Sequence, residues 1–520
     1  MSTAADGAGS RPQNVARQGS VVAAMTLISR LSGFARDMGI SWVLGAGVLA
    51  DAFFVAFRIP NFFRRLFAEG AFQQAFVPVL ARYRREPAEV YRAFIATVLG
   101  NLLLVLTLVV LFGVVFSGVL TTVFAPGYRA DPERFELVAA MTRITFPYLG
   151  FISLTALAAA LLNSHGRYAV PAVTPVLLNL SLIGALLLGV YAAINPVIAL
   201  AWGVFVAGAL QFAFQLPFLG RLGLIVMPRP GADHPGARAV GRLLLPAVVA
   251  SSASQINALI DTMVASTLIA GSISWIYYAD RLLELPVGLV AVALGTVLLP
   301  NLSRLAAADN EAGFAGTLDW GLRMALLFGL PAAVALHVLA LPLVATIFAH
   351  GAMSALDARM AALALQAFAV GLLPIILVKV LAPAFFARQD TKTPLRIALV
   401  AILTNIALNL ATFRWFGHVG LAFATSVAAC VNAGLLFRAV TQRGYRPGAS
   451  VQRTGLRVGA SVLVMIAALL LVLPPSAQWL SFDPLARVAW LALGVTLGGG
   501  VFALALFGLG ERPRDLRHRI

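Results

Sequence analysis

Charge is what this sequence has least of. Only 11% of its 520 residues are Asp, Glu, Lys or Arg, where soluble domains carry about 25%, so a water-facing globular surface cannot be built from it. Acidic residues are the scarcer sign, 21 against 38 basic, which leaves a net charge of +17. The single cysteine, Cys430, excludes a disulfide framework within one chain, and its place in an apolar run assigns it to packing. The six histidines are scattered, no pair has metal-ligand spacing, and only His337 lies deep in an apolar run. No Walker A sequence is present, which argues against ATP driving the chain directly.

What fills the space is apolar: 60% of the residues are hydrophobic. Runs of about 20 or more such residues recur along the whole length, each enough to cross roughly 30 Å of hydrocarbon as a helix. The runs show no polar alternation, which argues against a membrane β-barrel. The pattern predicts an all-α polytopic membrane protein with about 14 spans, near 19–43, 50–80, 93–124, 136–162, 170–192, 197–220, 243–270, 274–302, 320–348, 359–387, 394–415, 419–440, 455–474 and 486–509. Residues 1–18 read as a tail, and the apolar run after them is interrupted by Arg30 with no small-residue cleavage site, which favours a retained first helix over a cleaved signal.

The basic residues sit in short connections and not on one module, so they read as topology signals and not as a nucleic-acid surface. Connections after even-numbered spans carry Arg82, Arg84, Arg85, Arg167, Arg229, Arg238, Arg388, Lys392, Arg443, Arg446 and Arg453. Those after odd-numbered spans carry few cations, with Arg129 and Arg134 offset by Asp131 and Glu133. The positive-inside rule then places both termini in the cytoplasm.

The chain also repeats itself. "FVPVLAR" and "LLPNLSR" place Pro78 and Pro300 222 residues apart, "LLNSHGRYAVP" and "FFARQDTKTP" place Pro171 and Pro394 223 apart, and "LAWGVFVAGAL" echoes "LAFATSVAACV" at 221. Six spans fit in that offset, so the two halves keep one orientation and are related by an axis along the membrane normal. Parallel repeats of this kind place a substrate cavity between them and alternate access by rocking. The expected organisation is a tail at 1–18, a six-helix lobe at 19–221, a cytoplasmic linker at 222–242, a second lobe at 243–440, a linker with two added helices at 441–510, and a cytoplasmic tail at 511–520. Gly494 and Gly498 in the last span are spaced for close helix packing.

Against this apolar background the interior charges stand out. "SRLSGFARD" puts Arg30, Arg36 and Asp37 in span one, with Arg30 about eleven residues in, roughly 16 Å along the helix and near the midplane. Gly33 is on the Arg30 stripe and leaves room beside it. Span two holds Asp51, Arg58, Arg64, Arg65 and Glu69, with bends expected at Pro60 and Gly70. Arg65 and Glu69 are spaced to pair, whereas Arg64 faces Ala68 and reads as a free cation. "YYADRLLELP" supplies Asp280, Arg281 and Glu284, and span ten supplies Lys379. At about 2.5 to 3.5 kcal/mol each, four uncompensated charges cost roughly 10 to 14 kcal/mol, which rivals a domain's whole stability. They must face water, each other or a ligand. Internal ion pairs that only hold helices together are one reading. The cations outnumber the acids, however, and surplus guanidinium groups suit a phosphate-bearing substrate. Asp261 in span seven, with Gln255 and Asn257 near it, is a cation candidate for Na⁺ or a proton; a polar group bonded within the bundle is the alternative.

These same stretches, together with "DAFFVAFRIPNFFRRLFAEGAFQQAFVP", "ALLNSHGRYAVPAVTPVLLN", "SWIYYADRLLELPVGLVAVALGTVLLP" and "LAPAFFARQDTKTP", closely resemble the MurJ (MviN-type) lipid II flippases of the multidrug/oligosaccharidyl-lipid/polysaccharide exporter superfamily. The likeness runs in order over nearly the whole chain. It implies a transporter, not an enzyme, of the bacterial inner membrane that moves lipid II to the periplasmic leaflet for peptidoglycan synthesis. It also implies that the family's essential arginines fall on Arg30, Arg36, Arg64 and Arg281, its functional aspartate on Asp51, and its groove for the prenyl tail on the last two helices. Asp37, Arg58, Arg65, Glu69, Asp280, Glu284 and Lys379 are secondary cavity candidates. No cofactor is expected, a coupling ion (Na⁺ or H⁺) stays open, and the partners implied are lipid II, membrane lipids and cell-wall synthesis proteins. The rivals are a flippase for another polyprenyl-diphosphate-linked oligosaccharide such as O-antigen, and a membrane enzyme acting on prenyl-phosphate lipids. The short connections leave little room for an enzyme's site.

Overall fold

The computed structural model describes residues 12–65 and 72–512. Seventeen α-helices follow one another: α1 (Pro12–Leu44), α2 (Val48–Arg64), α3 (Phe72–Tyr83), α4 (Ala88–Val115), α5 (Ser117–Phe124), α6 (Pro132–Thr145), α7 (Tyr148–Ser164), α8 (Ala169–Tyr191), α9 (Pro196–Arg221), α10 (Pro235–Ala265), α11 (Ser272–Ala307), α12 (Glu311–Val338), α13 (Ala340–Ile347), α14 (Ala355–Phe386), α15 (Lys392–Gln442), α16 (Ala449–Val472) and α17 (Pro484–Gly508). Of the fourteen predicted intervals, 93–124, 136–162 and 320–348 each fall on a pair of helices broken once, and 50–80 covers α2 and α3, with residues 66–71 outside the described residues. Among the described residues nine helices are long and apolar enough to cross a membrane, or ten if a bent pair counts as one span. The 51-residue α15 holds two predicted spans, divided at Gly417, whose φ of 54° and ψ of −134° end the first helical run and start the second. Only glycine adopts that backbone without strain. α2 continues as helix through Pro60 to Arg64, and the bend expected at Gly70 lies outside the described residues.

The repeat is visible in helix lengths. α4 and α5 span 28 and 8 residues, and α12 and α13 span 28 and 8 residues starting 223 positions later. Both pairs break in the same way, at Phe116 and Leu339, each of which still donates to a carbonyl four residues back. Asp131 caps α6 by accepting from the Arg134 amide, and 223 residues on Ser354 caps α14 by accepting from the Asp357 amide. Local capping chemistry sets these ends, so duplicated sequence gives duplicated geometry.

The chain divides into two compact units. The first comprises Met1–Val43 and Ala52–Leu259, the second Leu44–Asp51 and Ile260–Ile520. The division therefore falls inside α10, and the first turn of α2 is counted with the second unit. In the first unit an aromatic stack ties α3 to α4: Phe76 lies 5.1 Å from Phe72 and 5.9 Å from Phe94, and Tyr83 lies 4.4 Å from Phe94. α7, α9 and the start of α10 close over it through Leu161, Leu219 and Val240. In the second unit α14 packs on α11, α12, α13 and α15, and α16 packs on α12 and α17.

Large apolar side chains such as Leu456, Leu471 and Leu485 are exposed. In water this arrangement would aggregate; in a bilayer it is the lipid face. Cys430, expected to pack, is exposed on α15, because in a membrane an apolar position needs no protein neighbour. Gly494 and Gly498 do pack within the chain, each against a leucine of α16, Leu473 and Leu469. His337 sits at the end of α12, exposed, with Nδ1 3.1 Å from the Gln366 carbonyl.

Candidate functional site

α1 presents its two interior arginines differently. Arg36 is 5% exposed and Asp37 1%. Arg36 donates from Nε and Nη2 to Asp37 Oδ1, at 2.9 and 2.7 Å, and from Nη1 to Asn179 Oδ1 on α8 at 3.0 Å. Asn179 is itself fixed by donating to the Ser29 carbonyl at 3.0 Å and to Ser32 Oγ at 2.9 Å. Asn179, and not Arg30, fills the room beside Gly33: a Cβ on Gly33 would sit 3.5 Å from its amide nitrogen. Arg30 is exposed, and among the described residues nothing bonds to it.

On α2, Arg64 is not the free cation its spacing suggested. Its Nε donates to Asn61 Oδ1 at 2.9 Å, and Asn61 in turn donates to the Phe57 carbonyl at 2.7 Å. The amide lies three residues back, where only the residue four ahead had been considered. Arg58 is half-buried and has partners of its own, and Arg65 is exposed. Glu69, and with it the expected pair to Arg65, lies outside the described residues.

In the second unit Asp51 serves as the N-cap of α11. That helix starts after Gly271, whose φ of 97° and missing side chain leave the first-turn amides without a local cap. Asp51, 2% exposed, replaces it. Its Oδ2 accepts from the Gly271 amide at 2.7 Å, and its Oδ1 accepts from the Ser274 amide at 2.8 Å and the Ser274 hydroxyl at 2.6 Å. A carboxylate there also meets the positive end of the helix dipole. One turn on, the Tyr278 hydroxyl donates to the Gly45 carbonyl at 2.8 Å, tying α11 again to the segment before Asp51.

Further along α11, Tyr277, Asp280, Arg281 and Glu284 make a polar stripe. Arg281 donates to Glu284 Oε2 at 2.9 Å and to the Tyr277 hydroxyl at 3.0 Å, and its guanidinium lies 4.9 Å from the Tyr277 ring centre. Glu284 is exposed and Arg281 half-buried, so this pair faces an open space. Asp280 is half-buried with partners of its own, and Lys379 on α14 is exposed and unpaired among the described residues.

Asp261 on α10 meets α15. Asn409 donates to Asp261 Oδ1 at 2.6 Å and lies 3.0 Å from the amide of Asn405, which contacts Thr425 Oγ1 at 3.2 Å. Asn405 and Asn409 are fully buried, and Asn409 Oδ1 has no hydrogen-bond partner among the described residues. As placed, Asn409 turns its amide nitrogen to Asp261 and Asn405, so the group is hydrogen-bonded within the bundle; its carboxylate, amide and hydroxyl oxygens are hard donors of the kind a cation such as Na⁺ takes and are unsuited to zinc. No cluster of three His, Cys, Asp or Glu side chains exists among the described residues.

Sequence reasoning missed Asn179, Asn405 and Asn409. Each is an amide in an otherwise apolar span, and the desolvation argument that singled out the arginines applies to them as well.

A family model described as lipid II flippase MurJ matches residues 40–489. The chain is 45% identical over 514 residues to a probable lipid II flippase MurJ of Vibrio cholerae, covering 96% of this chain and 97% of that protein. It is 40% identical to the lipid II flippase MurJ of Burkholderia cenocepacia, covering 97% and 99%. A solved lipid II flippase MurJ in an inward-closed conformation is similar in fold, with a TM-score of 0.79 at 26% identity over 95% of this chain and 99% of that one. An inward-facing multidrug transporter of the MATE family shares the fold at a TM-score of 0.64 and 14% identity, over 81% and 97% of the two chains.

Proposed function

The chain belongs to the lipid II flippase MurJ family, and from that premise we propose that it carries lipid II, the undecaprenyl-diphosphate-linked peptidoglycan precursor, from the cytoplasmic to the periplasmic leaflet of the bacterial inner membrane. It is a transporter and not an enzyme. The arginine-rich connections support an orientation with both termini cytoplasmic. The expected lobes at 19–221 and 243–440 are the moving parts, and α16 and α17 are the groove for the prenyl tail.

The observation that carries the reading is Arg30: a guanidinium at mid-helix in α1, which we read as the first span, exposed and bonded to no described residue. Such a group is costly in hydrocarbon unless water or an anion meets it. Arg281 supports it with a guanidinium already oriented by Tyr277 and Glu284. Arg36 and Arg64, held by Asp37 and Asn61, set the shape and potential around them. The cations draw the diphosphate in from the cytoplasm, the hydrated sugars and peptide pass through the interior, and the tail stays in lipid. Within the second unit, the three bonds of Asp51 fix the start of α11, the helix that carries Arg281. Nothing in the donor set performs chemistry on the lipid.

Moving anionic charge outward is favoured by about 2.3 kcal/mol per elementary charge per 100 mV, so the membrane potential is one energy source. Na⁺ at Asp261, Asn405, Asn409 and Thr425 is the other, supported by the partnerless Asn409 oxygen. Dissipating the potential at constant ion gradients stops translocation on the first and spares it on the second. Cell-wall synthesis proteins are the partner class this reading calls for.

The test is lipid II exposure at the periplasmic face of cells depleted of the protein and complemented with wild type or Arg30→Ala at equal membrane abundance. Depletion blocks exposure, wild type restores it and Arg30→Ala does not. Full rescue by Arg30→Ala removes the arginine from the mechanism, and undiminished exposure on depletion removes lipid II.

A further inference from the structure

Arg143 is a charged in-span residue that the mechanism above leaves unused. It sits seven residues into the predicted span 136–162, some 10 Å along the helix, and is exposed. Its Nε donates to Ser117 Oγ at 2.9 Å. Ser117 is fully buried and is the first residue of α5, just past the break at Phe116. The bond fixes the guanidinium plane, and the terminal nitrogens Nη1 and Nη2 bond to nothing among the described residues. Glu136 shares the stripe, but two helical turns, roughly 10 Å, separate it from Arg143.

The direction of the side chain follows from α6 itself. Thr145, two residues on and so about 200° around the helix, donates to the Ala56 carbonyl of α2 at 3.2 Å. Arg143 thus points away from α2, the helix with the interior charges. Phe116 and Val119, one residue before and two after its partner Ser117, are exposed apolar side chains of the kind that meets lipid.

The repeat shows that bracing the break does not need the charge. The residue 223 positions later is Gln366, which meets the helix before the second break with a neutral amide: its Nε2 lies 3.4 Å from the His337 carbonyl, and its own carbonyl lies 3.1 Å from His337 Nδ1. An amide can therefore occupy this place, yet Arg143 carries a full positive charge toward lipid, where an uncompensated cation costs about 2.5 to 3.5 kcal/mol at the centre of a span.

We propose that Arg143 binds the phosphate of an anionic phospholipid on the outer surface of the first unit, with Ser117 holding Nε so that the Nη1–Nη2 edge faces the phosphate oxygens. Guanidinium binds phosphate bidentately through such an edge, and the long side chain reaches up toward headgroup level. In the orientation proposed above the leaflet is the periplasmic one. Only the naming of the leaflet rests on that reading, because lipid retention is measured without reference to flipping.

The test is native mass spectrometry of the purified full-length protein titrated with phosphatidylglycerol, with phosphatidylcholine as the net-neutral comparison, for wild type, Arg143→Gln and Arg143→Lys. Wild type binds phosphatidylglycerol more tightly than phosphatidylcholine. Arg143→Gln weakens the tightest phosphatidylglycerol site about fivefold, the contribution of one basic residue at an anionic membrane surface. Arg143→Lys keeps part of the preference, and melting in lipid-free detergent is unchanged in both variants. Equal phosphatidylglycerol affinity in wild type and Arg143→Gln overturns the proposal. So does a loss of lipid that tracks lowered melting in both variants whether or not the charge is kept.

Discussion

Arg30 and Arg36 lie six residues apart on α1 and differ in what surrounds them. Sequence spacing could not separate them, because the residue that makes the difference, Asn179, is 143 positions from Arg36. The adjacent Asp37 was legible as a partner, and the amide completing the site was not. Arg64 gives the same lesson at shorter range: its partner is an amide, and counting charges alone overlooks amides. Asn179→Leu should remove the acceptor that Asn179 gives the buried Arg36 Nη1, a loss of about 1–3 kcal/mol read as lowered melting. Combined with Arg36→Lys it should cost less than the sum of the two single changes, because both act on one network. Strict additivity in that cycle would mean that Asn179 does not position Arg36.

At the scale of elements, α11 and α17 depend on carboxylates that lie outside them. A reader of the sequence would seek the α11 cap in Ser272 or Ser274, yet Gly271 precedes the helix and Asp51, 220 residues away, supplies the acceptors. Asp51→Asn keeps one acceptor oxygen and turns an amide toward a backbone N–H. The expected cost is about 1–2 kcal/mol in melting, the size of a lost cap, together with reduced translocation. Unchanged melting and translocation would show that the cap is dispensable.

The end of α17 is held similarly. Glu511, 2% exposed, accepts from Arg323 on α12 at 2.7 Å, from Thr454 on α16 at 3.0 Å and from Arg457 on α16 at 2.8 Å. At its other end, Arg487 donates to the Ala345 and Ala349 carbonyls at and just after α13, both at 3.0 Å. Burial alone would raise the Glu511 pKa, but bonds from Arg457, Arg323 and Thr454 outweigh it and hold the carboxyl below its ordinary value. A carboxylate with a depressed folded pKa stabilises above the unfolded pKa, about 4.3, and that stability fades as pH falls through the folded value. Glu511→Gln should therefore lower stability by roughly 2 kcal/mol at neutral pH, less than for a fully buried pair because Arg457 is partly exposed. The gap to wild type should close below about pH 4. A gap that stays constant across that range would assign the loss to packing and not to charge.

Across the whole molecule, the repeat was the most legible feature, because helix ends are set locally by caps and punctuation and a duplicated sequence reproduces them. The 28- and 8-residue helix pairs 223 positions apart are that duplication in three dimensions. The boundary inside α10 and the transfer of Leu44–Asp51 to the second unit depend on contacts such as Asp51 with Gly271 and Ser274, which no local pattern announces. The charge surplus was legible in sign, but not in its division between cations held by protein and cations left open.

That division makes the central claim measurable. The experiment is equilibrium binding of lipid II, and of an analogue with the diphosphate replaced by an uncharged linker, to purified wild type and Arg30→Ala. The account predicts that wild type strongly prefers the diphosphate and that Arg30→Ala weakens lipid II binding roughly 10- to 100-fold, as expected for a lost charge-assisted contact, while binding of the analogue is unchanged. Equal wild-type affinity for the two ligands, or an Arg30→Ala variant that still distinguishes them as wild type does, would contradict it.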